Sequence, residues 1–456
     1  MSYEELAIAV SGVAVSLSDA GRVAVFAESR LETVVAVLGA LVAGVVVVPI
    51  NPKAGTRELE HIVSDSEPVA VFAAADASLP SPLGDVPRHD IPLAGPGGSL
   101  PPEANHEDPA LILYTSGTTG LPKGAILPRR AIASNLDALS QVWSWTSDDV
   151  LAHGLPLFHA HGLVLGTLGP VRLGGQLTHL GRFSPEAVAE ALQRDATMVF
   201  AVPTMYSRLA TAAEESEEIA VALRRARVLV SGSAALPARE HRRIEDVCGQ
   251  QVVERYGLTE TLMNCAVAVD GERRPGYVGP PLPGVDVRLI DDDGHALAPD
   301  DVSTIAEIHV RGPNLFSGYL NRPDATSEAI VDGWFKTGDL ATRDADGYVR
   351  IVGRRAIDLI KTGGYKVGAG EVEAAILEYP GVADAAVLGE PDDELGERIV
   401  ACVVLESSVE LEAQQLSDHV ATLLSPHKRP RRTLFLDELP RNAMGKVVKP
   451  RLRDLL

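Results

Sequence analysis

The most informative stretch of this chain is Tyr114-Thr-Ser-Gly-Thr-Thr-Gly-Leu-Pro-Lys-Gly124, which directly follows the apolar run Ala110-Leu-Ile-Leu113. Its glycines allow backbone N–H groups to approach phosphate oxygens, its hydroxyl side chains add donors, and Lys123 adds a positive charge. It differs from the Walker phosphate loop, in which Gly-Lys-Ser/Thr opens a helix, because Lys123 lies between Pro122 and Gly124. The stretch predicts a triphosphate-binding loop after a strand, with an ordinary Gly/Thr surface turn as the alternative.

The composition limits the classes of protein and of partner. A length of 456 residues favours two or three domains. The 41 basic and 62 acidic residues give a net charge of −21, which argues against a nucleic acid or a membrane surface as partner. Three widely spaced cysteines, Cys248, Cys265 and Cys402, form no CxxC pair, so neither a disulfide framework nor a zinc site is favoured.

The N-terminal part of the sequence predicts a cytoplasmic protein. Met1-Ser-Tyr-Glu-Glu-Leu6 lacks the basic region that begins a signal peptide. The apolar stretch Val34–Ile50 is interrupted by Gly39, Gly44 and Pro49 and is shorter than the roughly twenty residues of a membrane span. We interpret it as part of a helix over 31–43 followed by a buried strand over 45–50.

The alternation of elements predicts an α/β fold. Short β-rich runs alternate with helical patterns from Arg22 onward, which is typical of mixed or parallel sheets flanked by helices. Residues 280–354 instead contain short strands separated by Asp/Gly turns, which predicts a small β-rich subdomain. A compact α+β unit of about a hundred residues is expected after Arg354.

Six further clusters follow the loop in the sequence. They are Val230-Ser-Gly-Ser-Ala-Ala-Leu-Pro237, Glu254-Arg-Tyr-Gly-Leu-Thr-Glu260, Trp334-Phe-Lys-Thr-Gly-Asp-Leu340, Gly353-Arg354, Asp358-Leu-Ile-Lys-Thr-Gly-Gly364 and Pro440-Arg-Asn-Ala-Met-Gly-Lys446. In this order they resemble the adenylate-forming superfamily of acyl-CoA synthetases, adenylation domains and luciferases. The resemblance covers essentially the whole chain and implies ATP, Mg²⁺ and coenzyme A as cofactors.

The resemblance also implies how the chain is divided. An N-terminal domain, 1–354, binds ATP and the acid; a hinge, 355–358, leads to a mobile C-terminal domain, 359–456. In the family, one orientation of this domain serves adenylation, and a large rotation exchanges its lysine for the loop near Gly363-Gly-Tyr365 during thioester formation. The hinge segment is one residue longer than the common form, which leaves the pivot open among the residues Ala356, Ile357 and Asp358.

The chemistry of carboxylate activation gives these clusters their roles. The carboxylate attacks the α-phosphorus of ATP, and the charge of the departing pyrophosphate must be neutralised. The resemblance implies catalytic roles for Lys446, for Glu260 as the Mg²⁺ ligand and for Thr259 beside the α-phosphate, while Asp339 and Arg354 are expected to bind ribose. The other residues expected to bind nucleotide or coenzyme A are Thr115, Ser116, Gly117, Thr118, Thr119, Gly120, Lys123, Ser231, Gly232, Ser233, Ala234, Glu254, Arg255, Tyr256, Gly257, Lys361, Gly363 and Gly364.

The acid is predicted mainly from Arg208. A desolvated guanidinium in the acyl pocket is justified by a second substrate carboxylate. Together with Phe158-His-Ala-His-Gly162, Arg208 resembles the malonyl-CoA synthetases, which also accept methylmalonate. The alternative is that Arg208 begins an amphipathic helix and pairs with Glu214 or solvent. The residues expected to bind the dicarboxylic acid are His159, Thr204, Arg208, Ser231 and Met263.

Other interpretations stay open at this point. Within the enzymes, the chain is alternatively a synthetase for short- or medium-chain monocarboxylates or an adenylation enzyme that loads a carrier protein. Lys446 is alternatively part of a solvated basic face with Lys449, Arg451 and Arg453. A non-catalytic nucleotide-binding module is a third possibility, which the intact set of charged residues disfavours.

Overall fold

The computed structural model describes residues 1–17, 21–95, 97–115, 121–355, 357–407, 409–442 and 445–456. Within these ranges the chain forms four β-sheets flanked by helices. The predicted α/β class is confirmed. No helix in the described ranges is long and apolar enough to cross a membrane.

The first sheet contains seven strands. In spatial order they are β15 (Gly318–Tyr319), β6 (Lys123–Pro128), β5 (Pro109–Thr115), β2 (Val46–Ile50), β1 (Arg22–Phe26), β3 (Ala70–Ala73) and β4 (Arg88–Asp90). The pairs from β5 to β4 are parallel, whereas β6 pairs antiparallel with both β5 and β15. The helices of this region are α1 (Tyr3–Ser16), α2 (Leu31–Val42), α3 (Thr56–Ser66) and α4 (Ser81–Gly84).

The second sheet contains six strands. In spatial order they are β12 (Leu262–Ala266), β11 (Val253–Leu258), β10 (Val228–Ser231), β9 (Met198–Ala201), β7 (Val150–His153) and β8 (Gln176–His179). All its pairs are parallel except β11 with β12. The helices of this region are α5 (Arg129–Trp143), a π-helix (His161–Leu168), α6 (Gly169–Leu173), α7 (Pro185–Arg194), α8 (Pro203–Glu215), α9 (Glu217–Arg224) and α10 (Ala238–Cys248).

One hydrophobic core joins the first two sheets. Alternate residues of β1, Val23 and Val25, and of β9, Met198 and Phe200, belong to this core, as the two-residue period of a strand requires. The intervening residues pack on the opposite faces, such as Ala24 in a second core. The helices α2 and α5 contribute side chains to the shared core, so they help to fix the two sheets relative to each other.

The third sheet is antiparallel. Its strands are β13 (Asp286–Ile290), β14 (Ala306–Arg311), β17 (Trp334–Arg343), β16 (Ile330–Val331) and β18 (Val349–Arg354). The helix α11 (Pro323–Ala329) directly precedes β16 in the sequence. Residues such as Ile308 and Phe335 join it to the shared core.

The fourth sheet has a core of its own. Its strands are β20 (Tyr365–Gly368), β19 (Leu359–Thr362), β22 (Gly396–Leu405), β21 (Val382–Asp392) and β23 (Arg432–Phe435). The helices are α12 (Ala369–Leu377), α13 (Ala413–Leu423), α14 (Lys449–Arg453) and a 3₁₀ turn (Pro426–Lys428). The core beneath it draws on residues between Ile360 and Val420. The domain boundaries at 354 and 359 stay predictions and lie between β18 and β19.

Candidate active site

The predicted phosphate loop lies between two antiparallel strands. β5 ends at Thr115 and β6 begins at Lys123, and these two residues are partners in register. Lys123 therefore opens a strand, as expected from its difference from the Walker pattern. His61 on α3 contacts the carbonyl oxygen of Pro122 at 2.8 Å. The loop residues Ser116, Gly117, Thr118, Thr119 and Gly120 lie outside the described residues, so their roles stay predictions.

Asp339 lies at the centre of the polar cluster expected to hold ribose. Its side chain is buried, Tyr256 Oη donates to its Oδ2 at 2.6 Å, and Arg354 Nε lies 2.7 Å from its Oδ1. Burial raises the pKa of Asp339, while Arg354 and the Tyr256 hydroxyl oppose that rise. Because β17 and β18 pair Asp339 with Arg354 in register, the sheet itself brings the two predicted residues together.

Glu260 lies in the turn after β11, beside the half-buried Thr259. Glu260 is 8% exposed and accepts a hydrogen bond from Tyr319 Oη at 2.9 Å. The Lys123 Nζ lies 5.0 Å from the centroid of the Tyr319 ring. Tyr319 was not found by the sequence reasoning, because only the non-local pairing of β15 with β6 places it here.

Lys446, near the C-terminal end of the chain, is influenced electrostatically by the same cluster. The residue is accessible to solvent, yet loss of water around its ammonium group lowers its pKa, as do the charges of Arg354 and Arg255, while Asp339 opposes this. The charge of Lys446 also contributes to a lowered pKa of about 4 for His159, after burial as the larger cause. The preceding residue, Gly445, lines the same cavity as Arg208, and a Cβ added to it would lie 3.3 Å from Thr204 Oγ1, so the segment that carries Lys446 lies close to α8. The catalytic role of Lys446 stays a prediction.

Arg255 is the most unusual charged residue of the site. It is 5% exposed, and its Nε and Nη2 have no hydrogen-bond partner within the described part of the chain. Burial lowers the pKa of Arg255 to about 10. A Cβ added at Gly232 would lie 2.2 Å from the Arg255 Cζ, so glycine is required for this close approach. The guanidinium is therefore buried and ready to receive an anion.

Two other buried polar atoms near Arg255 share this unpaired state. They are the Ser231 Oγ and the His161 Nε2, neither of which has a partner among the residues described. Arg255 contributes to lowering the pKa of His161, after burial as the larger cause. Ser233, with a φ of 73°, places its Oγ 3.5 Å from His161 Nδ1. His161 thus belongs to the polar surroundings of Arg255.

Arg208 differs from its prediction. It is exposed on α8, and its guanidinium carbon lies 5.0 Å from the centroid of Phe183, so it is not desolvated. The expected alternative was a pair with Glu214 or exposure to solvent. Glu214 binds Arg243 at 2.7 Å instead, whereas the exposure of Arg208 agrees with the second part of that alternative. Arg208 lines a cavity of about 430 Å³ together with Thr204 and residues of the C-terminal end such as Gly445.

Several other predicted residues have structural surroundings. The carboxylate of Glu254 contacts His241 Nε2 at 2.9 Å and accepts from the backbone N–H groups of Leu236 and Gly276. Its carboxylate therefore has structural partners, and its expected nucleotide contact stays a prediction. A Cβ at Gly257 would lie 1.9 Å from the Leu262 carbonyl oxygen, so Gly257 permits the close β11–β12 pairing. Met263 is buried in β12, and Ala234 is exposed in the turn after β10.

The residues expected to serve coenzyme A lie on a separate hairpin. Lys361 is exposed on β19, and Gly363 and Gly364, with φ of 56° and 82°, form the turn to β20. Tyr365, at the end of this turn, stacks on His427 with ring centroids 4.0 Å apart. The role of this hairpin stays a prediction.

The hinge segment forms ion pairs and hydrogen bonds with residues on both sides of it. Arg355 pairs with Glu307 of β14 at 3.3 Å and with Asp292, in the turn after β13, at 3.2 Å. Asp358 binds Lys449 at 2.5 Å, and its other oxygen accepts from the Arg354 N–H at 2.8 Å. Ala356 lies outside the described residues, so the choice of pivot stays a prediction.

Comparison with known proteins adds family information. Residues 1–320 match the family model described as AMP-binding enzyme, and residues 371–446 match the AMP-binding enzyme C-terminal domain. A malonate–CoA ligase of Arabidopsis thaliana is 36% identical over 479 residues, which cover 95% of this chain and 78% of the relative.

Two solved structures are similar along nearly the whole chain. One is a malonyl-CoA ligase ternary product complex with methylmalonyl-CoA and AMP bound, with 56% identity, a TM-score of 0.76 and coverage of 97% of this chain and 95% of that one. The other is ATP-bound MatB from Rhodopseudomonas palustris, with 36% identity, a TM-score of 0.91 and coverage of 100% and 93%. The chain superimposes better on the ATP-bound structure although its sequence is less similar to it.

Proposed function

The chain belongs to the AMP-binding enzyme family, and on that basis we propose that it ligates malonate, and also methylmalonate, to coenzyme A through an acyl-adenylate. The single observation that carries the choice of a dicarboxylic acid is the buried, unpartnered guanidinium of Arg255. A buried charge without a partner is costly, and a substrate carboxylate supplies the missing partner. The relatives named for malonate and methylmalonate support the same choice.

The two carboxylates of malonate have different places in this proposal. One binds Arg255, whose guanidinium has two unpartnered nitrogens, with Ser231 Oγ and His161 Nε2 as further unpartnered polar atoms. The other lies toward Lys446, whose pKa is affected by both Arg255 and Asp339. Arg208, which is exposed, is assigned to the entrance of the site instead of its interior.

Adenylation then follows from the geometry. A carboxylate oxygen attacks the α-phosphorus, the bond from that phosphorus to the bridging oxygen breaks, and pyrophosphate leaves. Lys446 stabilises the negative charge that develops at the α-phosphate, and Asp339 and Arg354 hold the ribose. Lys123 at the start of β6 is placed to bind the pyrophosphate portion. The influence of Arg354 and Asp339 on the pKa of Lys446 supports this role in adenylation.

Glu260 fits a divalent cation. Its carboxylate is buried, one of its oxygens accepts from Tyr319, and oxygen ligands are those that Mg²⁺ prefers. When bound, Mg²⁺ neutralises charge on the phosphates. Thr259 precedes this ligand in the same turn and is proposed to donate to the α-phosphate.

Thioester formation requires the coenzyme A thiol to reach the activated carbonyl. The thiol sulfur attacks the carbonyl carbon, the thiol proton passes to solvent, and AMP leaves with the electrons of the acyl–phosphate bond. No protein nucleophile is needed, and burial raises the pKa of Cys265, which suits packing better than catalysis. Lys361, Gly363 and Gly364 are proposed to enter the site in this second step.

A panel of acids tests the proposal. Malonate, methylmalonate, acetate and octanoate are each incubated with ATP, Mg²⁺ and free coenzyme A, and both pyrophosphate and thioester are measured. We expect thioesters of malonate and methylmalonate. Thioester from acetate or octanoate alone would support the monocarboxylate alternative, and an adenylate without thioester would support a carrier-loading enzyme.

The cytoplasmic location stays a proposal from the sequence.

A further inference from the structure

Tyr319 occupies a position between the phosphate loop and the predicted metal ligand. Its short strand β15 pairs with β6, the strand that begins at Lys123, and the Leu320 N–H donates to the Gly124 carbonyl at 2.8 Å. The Tyr319 N–H in turn donates to Thr326 Oγ1 at 2.9 Å. The backbone of Tyr319 is therefore held firmly beside the end of the phosphate loop, although it lies far from that loop in sequence.

The hydroxyl group of Tyr319 acts on Glu260. It donates to Glu260 Oε1 at 2.9 Å, while the Glu260 carbonyl accepts from the Phe316 N–H at 2.8 Å. The Phe316 and Tyr319 rings are 4.9 Å apart in an edge-to-face arrangement. The hydrogen bond therefore joins two side chains that are both fixed by their surroundings, and it engages only one oxygen of the carboxylate.

The ring of Tyr319 acts on Lys123. The ammonium nitrogen of Lys123 lies 5.0 Å from the ring centroid, within the range of a cation–π contact. Among the described residues Lys123 and Glu260 form no ion pair with each other, and the Lys123 ammonium lies over the Tyr319 ring instead. A direct ion pair between them would neutralise the Lys123 cation, which is proposed to bind pyrophosphate, and the Glu260 anion, which is proposed to bind the metal. The aromatic ring holds the lysine without neutralising either charge.

We propose that Tyr319 is a positioning residue that orients the Glu260 carboxylate toward the divalent cation and keeps Lys123 separate from it. The hydroxyl fixes one carboxylate oxygen, so that the other is presented to the metal. Hydrogen bonds of this kind around a metal ligand typically change metal affinity by about 10- to 100-fold when they are removed. The proposal rests on the assignment of Glu260 to the metal within the proposed function.

The experiment measures metal binding without any acid, so that it is independent of the malonate assignment. Mn²⁺ is titrated into the full-length protein with ATP, and free Mn²⁺ is measured by electron paramagnetic resonance. Tyr319→Phe keeps the ring and removes the hydroxyl, and we expect the Mn²⁺ dissociation constant to rise about tenfold. Tyr3→Phe is the matched control, because the Tyr3 hydroxyl donates to the Gly175 carbonyl at 2.7 Å, outside the site. An Mn²⁺ affinity of Tyr319→Phe equal to that of the control would overturn the proposal.

Two further measurements separate positioning from a merely structural role. In a Glu260→Gln background, Tyr319→Phe should cause no additional loss of Mn²⁺ affinity, because the hydroxyl acts through the Glu260 carboxylate. If the losses of Mn²⁺ affinity from the two substitutions were fully additive, the hydroxyl would not act through Glu260 and the proposal would be contradicted. Tyr319→Leu, which also removes the ring, should weaken ATP binding in the presence of EDTA, whereas Tyr319→Phe should not. Equal metal-free ATP binding by both variants would refute the part assigned to the ring.

Discussion

Replacing Arg255 by methionine tests whether the buried guanidinium exists for the substrate. Burial lowers its pKa to about 10. Since one pKa unit corresponds to about 1.4 kcal/mol, the charged group is destabilised by roughly 3 kcal/mol when no acid is bound. Methionine has a similar length without charge. The Arg255→Met protein should therefore be more stable than wild type, with a higher midpoint of thermal unfolding.

The same substitution should largely abolish the use of malonate. Loss of one partner of a buried, hydrogen-bonded charge pair costs about 2 to 5 kcal/mol, or about 30- to 5,000-fold in kcat/KM. The assay is ATP–pyrophosphate exchange with malonate, compared with acetate as a substrate that lacks the second carboxylate. Acetate exchange should not fall. An Arg255→Met protein with unchanged kcat/KM for malonate would refute the reasoning.

Arg129→Met is the control for the loss of an arginine. Arg129 is half-buried at the start of α5, and its Nη2 donates to the Leu41 carbonyl at 2.5 Å. Because it lies outside the cluster around Asp339, the ratio of malonate to acetate exchange should stay that of wild type. A parallel loss of malonate exchange in this control would show that the effect of Arg255→Met is not specific.

Three further predictions concern other residues of the account. Lys446→Ala should abolish adenylation but leave thioester formation from supplied malonyl-adenylate largely intact. Equal loss of both activities would contradict the assignment of Lys446 to the adenylation step alone. Gly232→Ala should lower malonate exchange at least about tenfold, because a Cβ would displace the Arg255 guanidinium; normal exchange would show that the contact is unimportant. Burial lowers the pKa of His153 to about 3, so the folded protein keeps this side chain neutral while the unfolded chain protonates it below about pH 6.5. The free energy of unfolding therefore falls by about 1.4 kcal/mol between neutral pH and pH 5.5 because of this group. In His153→Gln this decrease should be absent from chemical denaturation curves, and an unchanged pH dependence would contradict the assignment.

Much of the fold is readable from the sequence because burial leaves a regular pattern. The apolar stretch before Asn51 was expected as a helix over 31–43 and a strand over 45–50, and the structure has α2 and β2 there. Ser184 and Pro185 open α7, with Ser184 Oγ accepting from the Ala187 N–H at 3.1 Å. These elements depend on local periodicity and capping, which the sequence contains directly.

Other parts of the fold depend on distant contacts. The strand β15 has two residues, and only its pairing with β6 makes it a strand. The π-helix His161–Leu168 is fully buried and mostly apolar, so periodicity does not distinguish it from a strand or an α-helix. Neither feature has a local signal, and both contribute to the site through Tyr319 and His161.

The candidate site shows the same division. Asp339 and Arg354 were predicted from motifs, and the structure pairs them. Lys446 was predicted in the same way, and its pKa responds to both residues. The roles of Arg208 and Arg255 could not be predicted from the sequence, because sequence spacing does not reveal which guanidinium is buried. Arg255 is buried since Gly232 on the adjacent turn leaves room for it, whereas Arg208 lies on the exposed side of α8. Desolvation is a property of tertiary packing, so the sequence indicated a cation but not which one.

The most direct test of the central claim compares malonate with propionate in the wild-type protein. The two acids have nearly the same size, and propionate has a methyl group in place of the second carboxylate. If Arg255 receives that carboxylate, kcat/KM for thioester formation should favour malonate by at least about 30-fold, which corresponds to about 2 kcal/mol. Equal values for the two acids, or a preference for propionate, would contradict the account.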